Sequence, residues 1–174
     1  ISDVTVIGKE AIVLTDLAAD DHLHWQAPED GQYILFFFWM HGTGQQATPS
    51  CGTSYTVNYI DPYGAEALIN YWNQEVLTEE MQKWIGANGR VQLYMDSLEL
   101  STYGRGGQFW GYHLMEEFKT RRGYDLAPYL PLIVKKQGFL PMAQYYYTCG
   151  DEQFEFRLKN DLYQTMTDLY MENM

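Results

Sequence analysis

The chain predicts an α/β protein, with partial (β/α) barrel-type units preceded by a small antiparallel β-rich segment. Three observations carry this expectation. Two short apolar runs, Val57–Ile60 and Val91–Met95, each end in an acid, Asp61 and Asp96, and each precedes a helical pattern. The first forty residues show short β-prone runs separated by turn signals. The longest apolar run, Tyr33–Met40, reads as a strand covered on both faces. Residues 1–56 are therefore expected to form a β-rich segment and connecting loop, and residues 57–174 a partial β/α barrel segment.

In order, Val4–Ile7 and Ala11–Thr15 read as strands around a hairpin-like Gly8-Lys9-Glu10 turn. Asp20-Asp21 precede His22–Trp25, which alternates in strand fashion, and Pro28–Gly31 is a turn. Residues 41–56 are rich in Gly, Ser, Thr and Gln, and their glycines lack a phosphate-cradling spacing. From Tyr63 to Ile85 the apolar residues Leu68, Ile69, Trp72, Val76, Met81, Trp84 and Ile85 recur at helical spacing, predicting one helix that stops before Gly86-Ala87-Asn88-Gly89. Val91–Met95 should be a buried strand, with Asp96-Ser97-Leu98-Glu99 at its end and a break at Gly104, Gly106 and Gly107.

A helix is then predicted over about 110–122. Lys119, Arg121 and Arg122 complement the negative end of its dipole, and Gly123 supplies the left-handed cap. Leu126–Val134 is a proline-punctuated connection, and Phe139–Tyr147 another strand or an irregular wall. From Asp151, a plausible N-cap, the chain is helical, with Phe154, Leu158, Leu162, Met166 and Leu169 on its apolar face.

The hydrophobic fraction of 46% is that of a globular chain. A net charge of −12 opposes nucleic acid and an anionic membrane surface, so neither is expected as a partner. No run approaches the roughly 20 apolar residues of a membrane span. The N-terminus has neither the basic nor the apolar region of a signal peptide, and the lack of an initiator Met reads as a mature or excised piece. Cys51 and Cys149 match no metal or redox spacing, and the sequence leaves their pairing open. His22, His24, His41 and His113 form no metal motif, and Ser97 lies in no nucleophile elbow.

Aromatics make up 16% of the chain, including fifteen Tyr and five Trp. Such rings fill cores and interfaces, and they also stack on the apolar faces of sugars. Asp96 and Glu99 admit two readings. They are a turn cap and a solvated loop acid, or they are the carboxylates over a cleft that glycosidic hydrolysis needs, one as acid and one as base or nucleophile.

Several blocks decide between them by resemblance. DSLE, FWGYHLMEEFKTRRGYDLAPYLP and EQFEFRLKNDLYQTMTDLY, with TDLAADDHLHWQAPEDGQYILFFF and HGTGQQATPS upstream, resemble glycoside hydrolase family 106, the α-L-rhamnosidases. The resemblance runs in order through almost the whole chain. It implies an inverting glycosidase on a (β/α)8 barrel, with a calcium ion at the sugar site and rhamnose-containing polysaccharide or glycoside as substrate. Glu99 matches the Glu of the family's Asp-Ser-Trp-Glu and is the expected catalytic carboxylate, with Asp96 matching its Asp and expected to bind substrate or orient the site. Trp110 matches an aromatic that would floor a sugar subsite. Asp61 matches an acid at the preceding strand end that would contact sugar hydroxyls or metal. Leu98 stands where the motif has Trp, and Tyr59 where many members have an acid. A complete barrel takes about 250 residues, so the chain is expected to be part of a larger parent enzyme, extracellular or periplasmic. The alternative is a non-catalytic carbohydrate-binding piece.

Overall fold

The computed structural model describes residues 2–46, 52, 54–89, 91–92, 94, 108–133, 136–137 and 144–173. Among them the protein is a mixed α/β structure with five helices and two small sheets, and these strands do not close into a barrel.

The larger sheet joins the two ends of the chain. β1 (Ser2–Val6) runs parallel to β5 (Gln144–Thr148), with Ser2 opposite Gln144 and Val6 opposite Thr148. β4 (Lys136–Gln137) pairs antiparallel with the other edge of β5. The smaller sheet is a hairpin of β2 (Ala18–Ala19) and β3 (His22–Leu23). Its turn is Asp20-Asp21, with φ of 51° and 61°. Asp tolerates this left-handed region, and two positive φ angles give the twist that a two-residue hairpin requires.

Several expected strands are absent from the described residues. Ala11–Leu14 is irregular and Thr15–Leu17 is a 3-10 turn, so Gly8-Lys9-Glu10 closes no hairpin. Tyr33–Met40 joins no ladder and is largely exposed. Both edges of β5 are already taken by β1 and β4, and Phe36 instead sets its ring edge-on against Tyr147, centroids 4.8 Å apart. Val57–Ile60 turns instead of extending. Val91 and Tyr94, expected in a buried strand, are exposed and irregular, and the end of that run lies outside the described residues.

The helix expected over 63–85 is broken in two. α1 (Pro62–Tyr71) passes into a π turn, Trp72–Val76, closed by the Leu77 amide donating to the Trp72 carbonyl at 2.7 Å. α2 (Glu79–Asn88) then starts afresh, because Thr78 accepts the Met81 amide through its side chain and caps the new helix. The apolar stripe stays largely exposed, and Trp72, Met81 and Trp84 border a groove of about 410 Å³.

The core lies between α3 (Leu114–Arg122), α4 (Leu130–Ile133) and α5 (Glu152–Asn173). α3 begins later than expected and ends as expected, with Gly123 at φ 80° donating to the Lys119 carbonyl. Leu114 and Phe118 from α3 meet Leu158, Leu162 and Leu169 from α5. Each such side chain contributes about 1.5–3 kcal/mol by leaving water.

Polar contacts fix the same pair of helices. Arg122 donates to Thr165 at 2.9 Å and to Asp168 at 2.7 Å, and Arg121 grips exposed Glu172 with two bonds. Burial, reinforced by the bond to Asp161, pushes the Tyr124 hydroxyl well above the usual tyrosine range.

At the other end, Asp151 accepts the Phe154 amide and caps α5 as expected. One turn on, burial opposes the Glu155 charge. The Thr148 hydroxyl and the Cys149 amide outweigh it and hold that carboxyl below the usual glutamate range. Cys149 is a free cysteine at the edge of the core, and Cys51 lies outside the described residues. Among the described residues no helix is long and apolar enough to cross a membrane.

Candidate functional site

The site is built where two distant segments, 58–64 and 110–113, are tied together. Asn58 starts it. Its side-chain oxygen accepts the Ile60 amide at 3.2 Å, which bends the chain into an Asx turn and explains why 57–60 is not a strand. Ile60 enters the core, and Asp61 follows at the N-cap of α1, only 1% exposed. Pro62 has no amide to satisfy at the first helical position.

The Asp61 carboxylate serves both segments. Oδ1 accepts the Tyr63 amide at 3.1 Å and caps α1. Oδ2 accepts the Tyr112 amide at 2.7 Å and the His113 amide at 3.4 Å. His113 Nδ1 also lies 3.4 Å from Oδ2, buried and without hydrogen-bond geometry. Asn58 adds a further tie, its side-chain amide donating to the Trp110 carbonyl at 2.8 Å. Two glycines permit this approach. A Cβ on Gly64 would overlap the Asn58 carbonyl, and one on Gly111 would sit 3.3 Å from Asp61 Oδ2.

The tied segments form one wall of a cleft of about 770 Å³, within the range of small-molecule sites. Asn58, Gln108, Phe109 and Trp110 line that wall, residues 37–43 face it, and Met115 and Leu130 supply apolar floor. Trp39, 82% exposed, offers its indole at the rim. Apolar rings interleaved with amides and the hydroxyls of Thr43 and Thr56 suit a ligand with apolar faces and a hydroxyl edge.

Of the residues singled out from sequence, Trp110 lies in the cleft wall. Asp61 lies behind that wall, engaged by backbone amides, and the lining includes its neighbour Asn58 and not Asp61 itself. Asp96 and Glu99 lie outside the described residues, as does the Gly104–Gly107 break. Asn58, Gln108 and Trp39 were not singled out for the site. An Asn three residues before an Asp-Pro helix start is a readable turn signal for the first, and local pattern marks neither of the others.

Calcium takes six to eight oxygen ligands. Among the described residues no three His, Cys, Asp or Glu side chains gather into a group able to hold a metal ion.

A family profile described as alpha-L-rhamnosidase, that of glycoside hydrolase family 106, matches residues 2–139. No curated protein and no solved structure matches the chain. The matched span includes both walls of the cleft and most of the 174 residues. The chain therefore belongs to glycoside hydrolase family 106, the α-L-rhamnosidase family.

Proposed function

We propose that the cleft is a sugar subsite of an inverting α-L-rhamnosidase acting on rhamnose-containing polysaccharide or glycoside, with this chain as part of the catalytic domain. One observation carries the reading: a cleft of about 770 Å³ walled by indole rings, side-chain amides and hydroxyls, in a member of a glycosidase family. Trp110 stacks from the cleft wall on the apolar face of the ring. Asn58 and Gln108 bond its hydroxyls.

In this reading Glu99 is one catalytic carboxylate, Asp96 binds substrate or orients the site, and the second carboxylate comes from the rest of the parent enzyme. Inversion uses two carboxyl groups roughly 6.5–9.5 Å apart, leaving room for a water. One protonates the glycosidic oxygen as the bond to the anomeric carbon breaks. The other takes a proton from the water attacking that carbon from the opposite face. The family's barrel, at about 250 residues, would bring further strands from a parent enzyme, extracellular or periplasmic because a polymeric substrate does not cross membranes. Calcium would draw its ligands from beyond the described residues.

Incubation of a parent enzyme containing this chain with p-nitrophenyl α-L-rhamnoside tests this. Release of p-nitrophenol is expected, with Glu99→Gln lowering it about 100-fold or more and leaving binding in place. The first product anomer seen by NMR should be inverted. Unchanged turnover in Glu99→Gln would refute the assignment.

A second reading, a non-catalytic carbohydrate-binding piece, is favoured by one feature. Leu98 replaces the motif's Trp. Binding of rhamnoside without turnover by a parent enzyme containing this chain would select it.

A further inference from the structure

We infer that Asp61 is a positioning residue for this cleft, setting the place of the Trp110 indole without touching sugar itself. Capping α1 takes one carboxylate oxygen, which the Tyr63 amide occupies at 3.1 Å. A serine or threonine would do that much. The second oxygen is used across the fold, on the amides of Tyr112 and His113, some fifty residues away in sequence. Those amides lie two and three positions beyond Trp110, with buried Gly111 between them. Asn58 holds the Trp110 carbonyl from the same turn at 2.8 Å. The backbone from the Trp110 carbonyl to the His113 amide is therefore anchored to residues 58–61.

The anchor is closed to solvent. Asp61 is 1% exposed, and the Tyr63 ring packs against Tyr112 and His113 at centroid distances of 5.9 and 5.1 Å. Gly111 has no slack, since a methyl group there would stand 3.3 Å from Asp61 Oδ2 and 3.4 Å from Ile60. A carboxylate with both oxygens aimed inward at amides acts on a ligand through the wall it holds. An amide at this position would keep one acceptor and turn an NH2 toward backbone donors, so Asn preserves shape and breaks the clamp.

The effect on affinity rests on the sugar reading above, whereas the effect on Trp110 does not, and the test separates them. The full chain is labelled with 5-fluorotryptophan, and the Trp110 resonance is assigned through Trp110→Phe. Asp61→Asn should move the Trp110 resonance and leave that of Trp25 in place. Titration with L-rhamnose should then show affinity about fivefold weaker in Asp61→Asn, but less than about twofold weaker when Trp110 is already Ala. Equal losses in both backgrounds would mean that Asp61 meets the sugar directly, overturning the inference. An unmoved Trp110 resonance overturns it too, whether or not sugar binds. A wild-type chain that ignores L-rhamnose counts against the sugar reading alone. If Asp61→Asn does not fold, Gly111→Ala, which presses on the same oxygen, must move the Trp110 resonance or the inference fails.

Discussion

Replacing Asp61 by Ala removes the acceptor of three backbone amides at once. The helix cap is worth about 1 kcal/mol. The Tyr112 amide, 2.7 Å from a charged oxygen, adds about 1.5–3 kcal/mol. The His113 amide at 3.4 Å adds little, because the bond is long. Against these stands the cost of holding a carboxylate at 1% exposure, part of which the mutation returns. The net expected loss is about 2–4 kcal/mol, a large share of the 5–15 kcal/mol typical of a folded domain.

Urea unfolding followed by tryptophan fluorescence measures this as a lowered midpoint at unchanged slope. Asp151→Ala is the matched control. That residue also caps a helix, accepting the Phe154 amide at 3.0 Å, but it is half exposed and clamps no second segment through backbone amides. Its loss should be clearly smaller. Equal losses for the two variants, or a loss below about 1 kcal/mol for Asp61→Ala, would refute the assignment of the second oxygen to the 110–113 segment.

Phe118→Ala should cost about 3–5 kcal/mol by calorimetry or urea, since the ring is fully buried and edge-on to Tyr124 at 4.9 Å. Arg122→Ala should cost about 1–2 kcal/mol through its bonds to buried Thr165 and to Asp168. Arg121→Ala, losing a grip on exposed Glu172, should cost less, and the reverse order in urea midpoints would contradict this ranking. Because the folded pKa of Glu155 is depressed, its stabilisation is fully present above the unfolded value of about 4.3 and is lost as pH falls through the lower folded value. Glu155→Gln should therefore flatten the pH dependence of the urea midpoint below about pH 4.3, and an unaltered slope would count against it.

Where the signal is local, sequence and structure agree. The end of α3, with its three cations and Gly123, and the cap and apolar stripe of α5 need only neighbours within a turn or two. The break at Thr78 was present in the residues as a capping signal, but the apolar periodicity on either side masked it. Asp61 was legible as an acid at a helix start, whereas Trp110 came from the family resemblance and was read as the start of a helix that begins only at Leu114.

Their partnership was not legible, nor was the strand content. β1 lies beside β5 across most of the chain's length, and with β4 on the other edge no free edge of β5 is left for the Tyr33–Met40 segment. An apolar run carries the same pattern whether it pairs in a sheet or walls a cleft, because periodicity reports which side is apolar and not what covers it. The residues thus determined the end of α3, the cap of α5 and the family. Only folding in three dimensions decided which amides the Asp61 carboxylate would hold, since those donors arrive from a segment some fifty positions away and leave no trace near it in the chain.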